Sequence, residues 1–130
     1  VIQIVNNNFT NKIITFLGVT FKPNTDDMRE ASSISMIKYL NKKKCKIRYY
    51  DPSGEKVEFK NLKNVNYYQD MRNACFNSDL IILHTEWNEF KLLNFKKLVK
   101  KRNFKVYDMR NLYSPEKMKK SNIKYFGIGR

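Results

Sequence analysis

Apolar and polar positions along the chain follow two different periods, and the switches between them predict the elements. Short stretches rich in apolar residues, some with a polar residue between them, stand at 13–17, 46–50, 65–68, 80–83, 104–107 and 123–126. Stretches of that length read as strands, and the unbroken Leu80-Ile81-Ile82-Leu83 after Ser78-Asp79 reads as a strand buried on both faces. Between them the spacing becomes helical. Ile34, Ile37 and Leu40 share one side of a helix over about 32–43, a second helix is expected near 69–77, and Phe95, Leu98 and Val99 mark the face of a third. Ser114-Pro115-Glu116 opens a fourth with a capping serine and a first-turn proline. Asp27, with Glu30 three residues later, predicts a capping box ahead of the first helix. Asp51-Pro52-Ser53-Gly54 is a turn sequence that stops the second strand. Strand and helix in alternation give an α/β, Rossmann-like fold: an open, mostly parallel sheet of about five to six strands with helices on both faces.

In a parallel sheet, segments that follow strands gather at one edge, where open α/β folds bind ligands. Three such segments carry chemistry. Gly18-Val19-Thr20-Phe21-Lys22-Pro23-Asn24-Thr25-Asp26-Asp27-Met28-Arg29-Glu30 follows the first strand, His84-Thr85-Glu86-Trp87-Asn88-Glu89-Phe90 the fourth, and Asp108-Met109-Arg110-Asn111 the fifth. The first lacks the G-x-G-x-x-G over which a dinucleotide pyrophosphate lies on backbone. Lys22, Arg29 and Arg110 instead supply cations, with Phe21 and Trp87 as aromatic walls, a set that suits a nucleotide diphosphate. Each residue also has a plainer reading. Lys22 is a solvated loop lysine, Arg29 a partner of Asp26 or Glu30, and Arg110 a partner of Asp108 or of a helix end. Trp87 is core, His84, the one histidine, is structural, and Asp51, placed like the ribose-binding acid of dinucleotide folds, starts a turn. These residues assemble no nucleophile, base and orienting group, so no catalytic residue is assigned.

Charge and cysteine content refine this picture. The 130 residues, enough for one domain, hold 26 Lys and Arg against 12 Asp and Glu, a net charge of +14. Such a balance favours anionic partners. Only six of the 26 cations are arginines, and the scattered lysines travel with asparagines, so solvated faces are expected and nucleic acid is not. No apolar stretch approaches a membrane span and the N-terminus has no signal pattern, so a cytoplasmic protein without a membrane partner is expected. Cys45 and Cys75 have no metal-ligand spacing. They are expected as two buried free thiols, with a disulfide between them as the alternative.

The segment 18–30, with Tyr50-Asp51-Pro52, Thr85-Glu86-Trp87-Asn88-Glu89-Phe90, Asp108-Met109-Arg110-Asn111 and Gly127-Ile128-Gly129-Arg130 following in order, resembles the C-terminal, UDP-sugar-binding domain of UDP-glucose 6-dehydrogenases. The resemblance runs from about Lys12 to Arg130 and implies a UDP-sugar-binding domain over 12–130, with 1–11 the remnant of a connecting segment. The family oxidises the C6 alcohol of the sugar to a carboxylate in two hydride transfers to NAD, through a cysteine thiohemiacetal and thioester. NAD is held mainly by an N-terminal domain, and a middle domain dimerises. By resemblance Phe21, Lys22 and Arg110 contact the substrate, and Arg29 reaches the NAD pyrophosphate across a cleft. The implied partners are UDP-glucose or UDP and the N-terminal and middle domains. Neither the N-terminal glycine motif nor the nucleophile segment of the family occurs here, and neither Cys45 nor Cys75 matches that segment. Met109 stands where glycine is usual and His84 where small or aliphatic residues are commoner. The implied chain binds UDP-glucose or UDP without turnover of its own, as one domain of an NAD-dependent enzyme. The alternative is a free-standing or remnant UDP-binding module.

Overall fold

The computed structural model of the chain describes residues 10–128, so most of the expected connecting segment at 1–11 lies outside the described residues. The strands are β1 (Ile13–Leu17), β2 (Lys46–Tyr50), β3 (Val65–Tyr67), β4 (Leu80–Leu83), β5 (Lys105–Asp108) and β6 (Lys124–Gly127). They form a six-stranded sheet in the order β3-β2-β1-β4-β5-β6, and every pairing is parallel. This is the doubly wound order of nucleotide-binding folds. The helices are α1 (Ser32–Lys42), α2 (Met71–Cys75), α3 (Phe95–Val99) and α4 (Pro115–Lys120).

Alternation along the central strands sorts side chains between two cores. Ile14 and Phe16 of β1, Ile47 and Tyr49 of β2, and Leu80 and Ile82 of β4 pack with Ile37 and Leu40 of α1. Leu17, Ile81, Leu83 and Val106 face the other way, onto Cys75 of α2, Phe95 and Val99 of α3 and Met118 of α4. Residues 80–83 are all buried, as their unbroken apolar character predicts.

The described chain leans on asparagine where others use glycine. Only four glycines occur in the sequence, and seven of the ten non-glycine residues with positive φ are asparagines. Asparagine tolerates the left-handed conformation that such turns require, so asparagines that look like background in the sequence are positional.

Several boundaries differ from the sequence pattern. The expected capping box does not form: the N-cap of α1 is Ala31, without a side-chain bond, and Glu30 has φ 60. Asp27 instead accepts hydrogen bonds from the backbone and side chain of Arg29, a local turn that competes with capping. The second helix is shorter than 69–77, because Asp70 caps it by accepting from the Asn73 amide. Strands β5 and β6 each run one residue later than the apolar stretches, in register with Leu80–Leu83 and with each other.

Candidate functional site

The chain leaves β1 toward β2 and leaves β4 toward β5, so the loops after these two adjacent strands part and open a crevice at their C-terminal ends. The loop walls meet closely at the base. Gly18 has φ +83, and a Cβ placed there would lie 2.5 Å from Cβ of Thr85. The buried Thr85 hydroxyl donates to the Thr20 carbonyl at 2.8 Å, and the Ser33 hydroxyl donates to the carbonyl of Val19. From the β2 side, buried Asp51 holds the same loop: its Oδ2 accepts from the amides of Val19 (2.8 Å) and Thr20 (3.3 Å). Its Oδ1 accepts from the amide and hydroxyl of Ser53. Asp51 does start the turn, but with both oxygens engaged it is not placed to receive a ribose hydroxyl.

Of the cations expected at this edge, Arg110 is the best fixed. Its Nε donates to the His84 carbonyl at 2.9 Å and its Nη2 to the Phe21 carbonyl at 3.2 Å, so one guanidinium ties together the loops after β1, β4 and β5. The Asp108 carboxylate accepts from the Arg110 backbone amide, not from the guanidinium. Arg110 therefore presents a full positive charge, with donors to spare, that no acid neutralises among the described residues. Phe21 and Lys22 are exposed on the neighbouring loop, and the ammonium of Lys22 forms no ion pair among the described residues. The structure thus brings Phe21 and Arg110 together, with Lys22 adjoining in sequence.

Arg29 is placed differently. Its side chain, 88% exposed, pairs with Asp27 at 3.0 Å and borders a separate shallow depression with Ser53 and Glu55. Its partner is neither Asp26 nor Glu30. The guanidinium hydrogen bonds hold the Asp27 carboxyl down at about 2.

Behind the exposed cations stand buried polar groups at the strand ends. His84 is buried; its Nε2 lies 2.9 Å from the Ser32 hydroxyl and its Nδ1 3.0 Å from the Thr85 hydroxyl. Burial pushes the imidazole down to about 4, the nearby charge of Arg110 acts the same way, and Asp51 opposes both. Buried Asp108 accepts from the amides of Arg110 and Tyr113 and from the Tyr125 hydroxyl, fixing the loop that carries Arg110. Trp87 packs against the second core, in line with its plainer reading. Sequence reasoning gave no loop-fixing role to Thr85 or Asp108. The available signal was that Asp51, His84 and Asp108 are each a polar residue at the C-terminal end of a strand.

Cys45 and Cys75 are both free and buried, and burial pushes the thiols up to about 11 and about 12, so neither is a ready nucleophile. No cluster of metal-ligating side chains occurs among the described residues, and none of their helices is long and apolar enough to cross a membrane.

Comparison with known proteins places this geometry. Residues 15–115 match the UDP binding domain of the UDP-glucose/GDP-mannose dehydrogenase family. The chain is 36% identical over 120 residues to a UDP-glucose 6-dehydrogenase of Rhizobium meliloti, covering 90% of the chain and 27% of that protein. It is 38% identical over 121 residues to one of Rickettsia felis, covering 91% of the chain and 27% of the relative. The chain therefore spans about a quarter of the length of these curated relatives. Among solved structures, an NDP-N-acetyl-D-galactosaminuronic acid dehydrogenase from Methanosarcina mazei superposes with a TM-score of 0.81 at 23% identity, over 99% of the chain and 27% of its own. A UDP-glucose dehydrogenase from Pyrobaculum islandicum gives 0.74 at 23% identity, over 98% of the chain and 27% of its own. At that identity these two likenesses speak to the fold alone.

Proposed function

The chain belongs to the UDP-glucose/GDP-mannose dehydrogenase family, as its UDP-binding domain, and from that premise we propose that the crevice between β1 and β4 receives the diphosphate of UDP-glucose for an NAD-dependent 6-dehydrogenase. The observation that carries this reading is the guanidinium of Arg110, oriented by two backbone carbonyls and matched by no acid among the described residues. A cation fixed in this way meets a phosphate without first breaking an ion pair, and its planar donors suit phosphate oxygens. Lys22 supplies a second, mobile charge from the facing loop, and Phe21 an exposed ring against which the nucleotide or sugar packs. Arg29, on the rim, reaches the pyrophosphate of NAD held by the rest of the enzyme. NAD, when bound there, supplies the hydride acceptor; this chain's residues bind and orient the sugar nucleotide and close the cleft.

The chain alone is then a binder without turnover, since its two cysteines are buried with raised pKa values. Purified chain supplied with UDP-glucose and NAD is expected to form no NADH; measurable NADH would contradict the division of labour. Lys22→Ala should weaken UDP binding by about 1.5–3 kcal/mol, roughly ten- to 150-fold in Kd, the cost of one charge-assisted contact. Calorimetric titration of the two proteins checks this, and equal affinities would remove Lys22 from the site.

A further inference from the structure

We infer that His84 is a positioning residue for the ligand edge, its neutral imidazole joining α1 and the loops after β1 and β4 in one directed chain of hydrogen bonds while its carbonyl orients Arg110. The directions follow from donor bookkeeping. The Thr85 hydroxyl has one proton, and it is donated to the Thr20 carbonyl at 2.8 Å. Thr85 Oγ1 can therefore only accept from His84, so Nδ1 carries the imidazole proton. Nε2 is left as an acceptor, and Ser32 donates to it from the first turn of α1. The chain thus runs from Ser32 through His84 and Thr85 to Thr20, and Thr20 in turn donates its hydroxyl to the carbonyl of Lys22. At its other end the same residue offers its carbonyl to Nε of Arg110. The guanidinium of Arg110 and the backbone that carries Lys22 are therefore both referred to this one buried residue.

A charged imidazole reverses the first of these bonds, because Nε2 would then donate to the Ser32 oxygen, and the direction set from α1 is lost. The surroundings oppose that charge. The ring is buried beside Phe16, with centroids 6.4 Å apart; α1 presents an uncharged hydroxyl, and the loop after β5 presents the cation Arg110. Asp51, at the end of β2, is the charged group that favours protonation, and its oxygens are already committed to the amides of Val19, Thr20 and Ser53 and the Ser53 hydroxyl.

The inference rests on the UDP reading for its functional consequence but not for its structural one, so two measurements separate them. The first needs no ligand: amide hydrogen exchange at Val19, Thr20, Phe21 and Thr85 in the wild type, His84→Leu and His84→Asn. Exchange should be about tenfold faster in His84→Leu, while Asn, whose side-chain amide replaces the Nδ1 donor, stays near the wild type. Unchanged exchange in His84→Leu overturns the inference. If that variant does not fold, Thr85→Val cuts the same chain, and unchanged exchange there is equally fatal. The second measurement is UDP affinity for the same proteins. His84→Leu should bind about tenfold more weakly, His84→Asn should recover most of the loss, and the wild-type advantage should persist from about pH 7.5 to about pH 5.5, where an ordinary imidazole is mostly charged. The nucleotide's own titration is common to all and cancels in the ratio. Equal affinities, or an advantage that vanishes near pH 6.5, overturn the role assigned to neutral His84. Absence of UDP binding by the wild type contradicts the UDP reading instead, and the exchange result then decides the fate of the inference.

Discussion

Gly18→Ala is expected to destabilise the chain by about 2–5 kcal/mol and to remove UDP binding. Two separate costs add at this position. The residue sits at φ +83, where an L side chain meets its own backbone at about 1–2 kcal/mol. The new Cβ would also lie 2.5 Å from Thr85 Cβ and 2.8 Å from its Oγ1. These atoms have nowhere to go: Thr85 is fully buried and bonded to Thr20, and the Gly18 amide is tied to the Tyr50 carbonyl at 2.8 Å. Forcing a methyl into such packing costs roughly a further 1–3 kcal/mol. Relief requires the loops after β1 and β4 to separate, which moves Phe21, Lys22 and the carbonyls that orient Arg110. Urea unfolding compares the stabilities. A wild-type midpoint for Gly18→Ala would show that the close approach is not a constraint.

Asp51→Ala should cost about as much, roughly 2–6 kcal/mol, by a different route. The carboxylate receives the amides of Val19 and Thr20, both in fully buried residues, as well as the amide and hydroxyl of Ser53. Truncation leaves buried donors unmatched, each at about 1–3 kcal/mol. Asp51→Asn provides the graded control: one oxygen remains, so it can satisfy the loop amides or Ser53 but not both. The expected order of stability is wild type, then Asn, then Ala, read again from urea midpoints. If Ala equals the wild type, Asp51 serves only the turn and does not hold the ligand loop.

These two residues show how legible the chain was. The strand at 80–83 was plainest, because a doubly wound sheet buries it on both faces and leaves no polar interruption. The edge that gathers the strand-following loops was equally plain, since their placement is set by topology once the sheet is parallel. What the pattern did not reveal were bonds closing over long stretches of chain. Asp51 acts on residues 31 and 32 positions away, His84 reaches Ser32 across 52, and Thr85 reaches Thr20 across 65. No local period encodes such pairings. The capping box failed for the opposite reason: Asp27 found a nearer partner in Arg29, two residues on, and the helix began without a side-chain cap. The +14 charge is a poor guide to the proposed site, whose distinguishing feature is Arg110, held at the strand ends by carbonyls and not by acids.

The central claim is that the diphosphate binds at the edge that carries Lys22 and Arg110, and an amide-resolved magnetic resonance titration of the chain with UDP tests it most directly. Saturable shifts confined to residues 18–22, 84–87 and 109–111 are the predicted result, with those at 18–22 and 109–111 lost in Arg110→Ala. Shifts centred instead on the lysine-rich opposite edge around Lys96, Lys100, Lys101 and Lys124 would contradict the claim, as would no shift at all in a chain whose spectrum shows it folded.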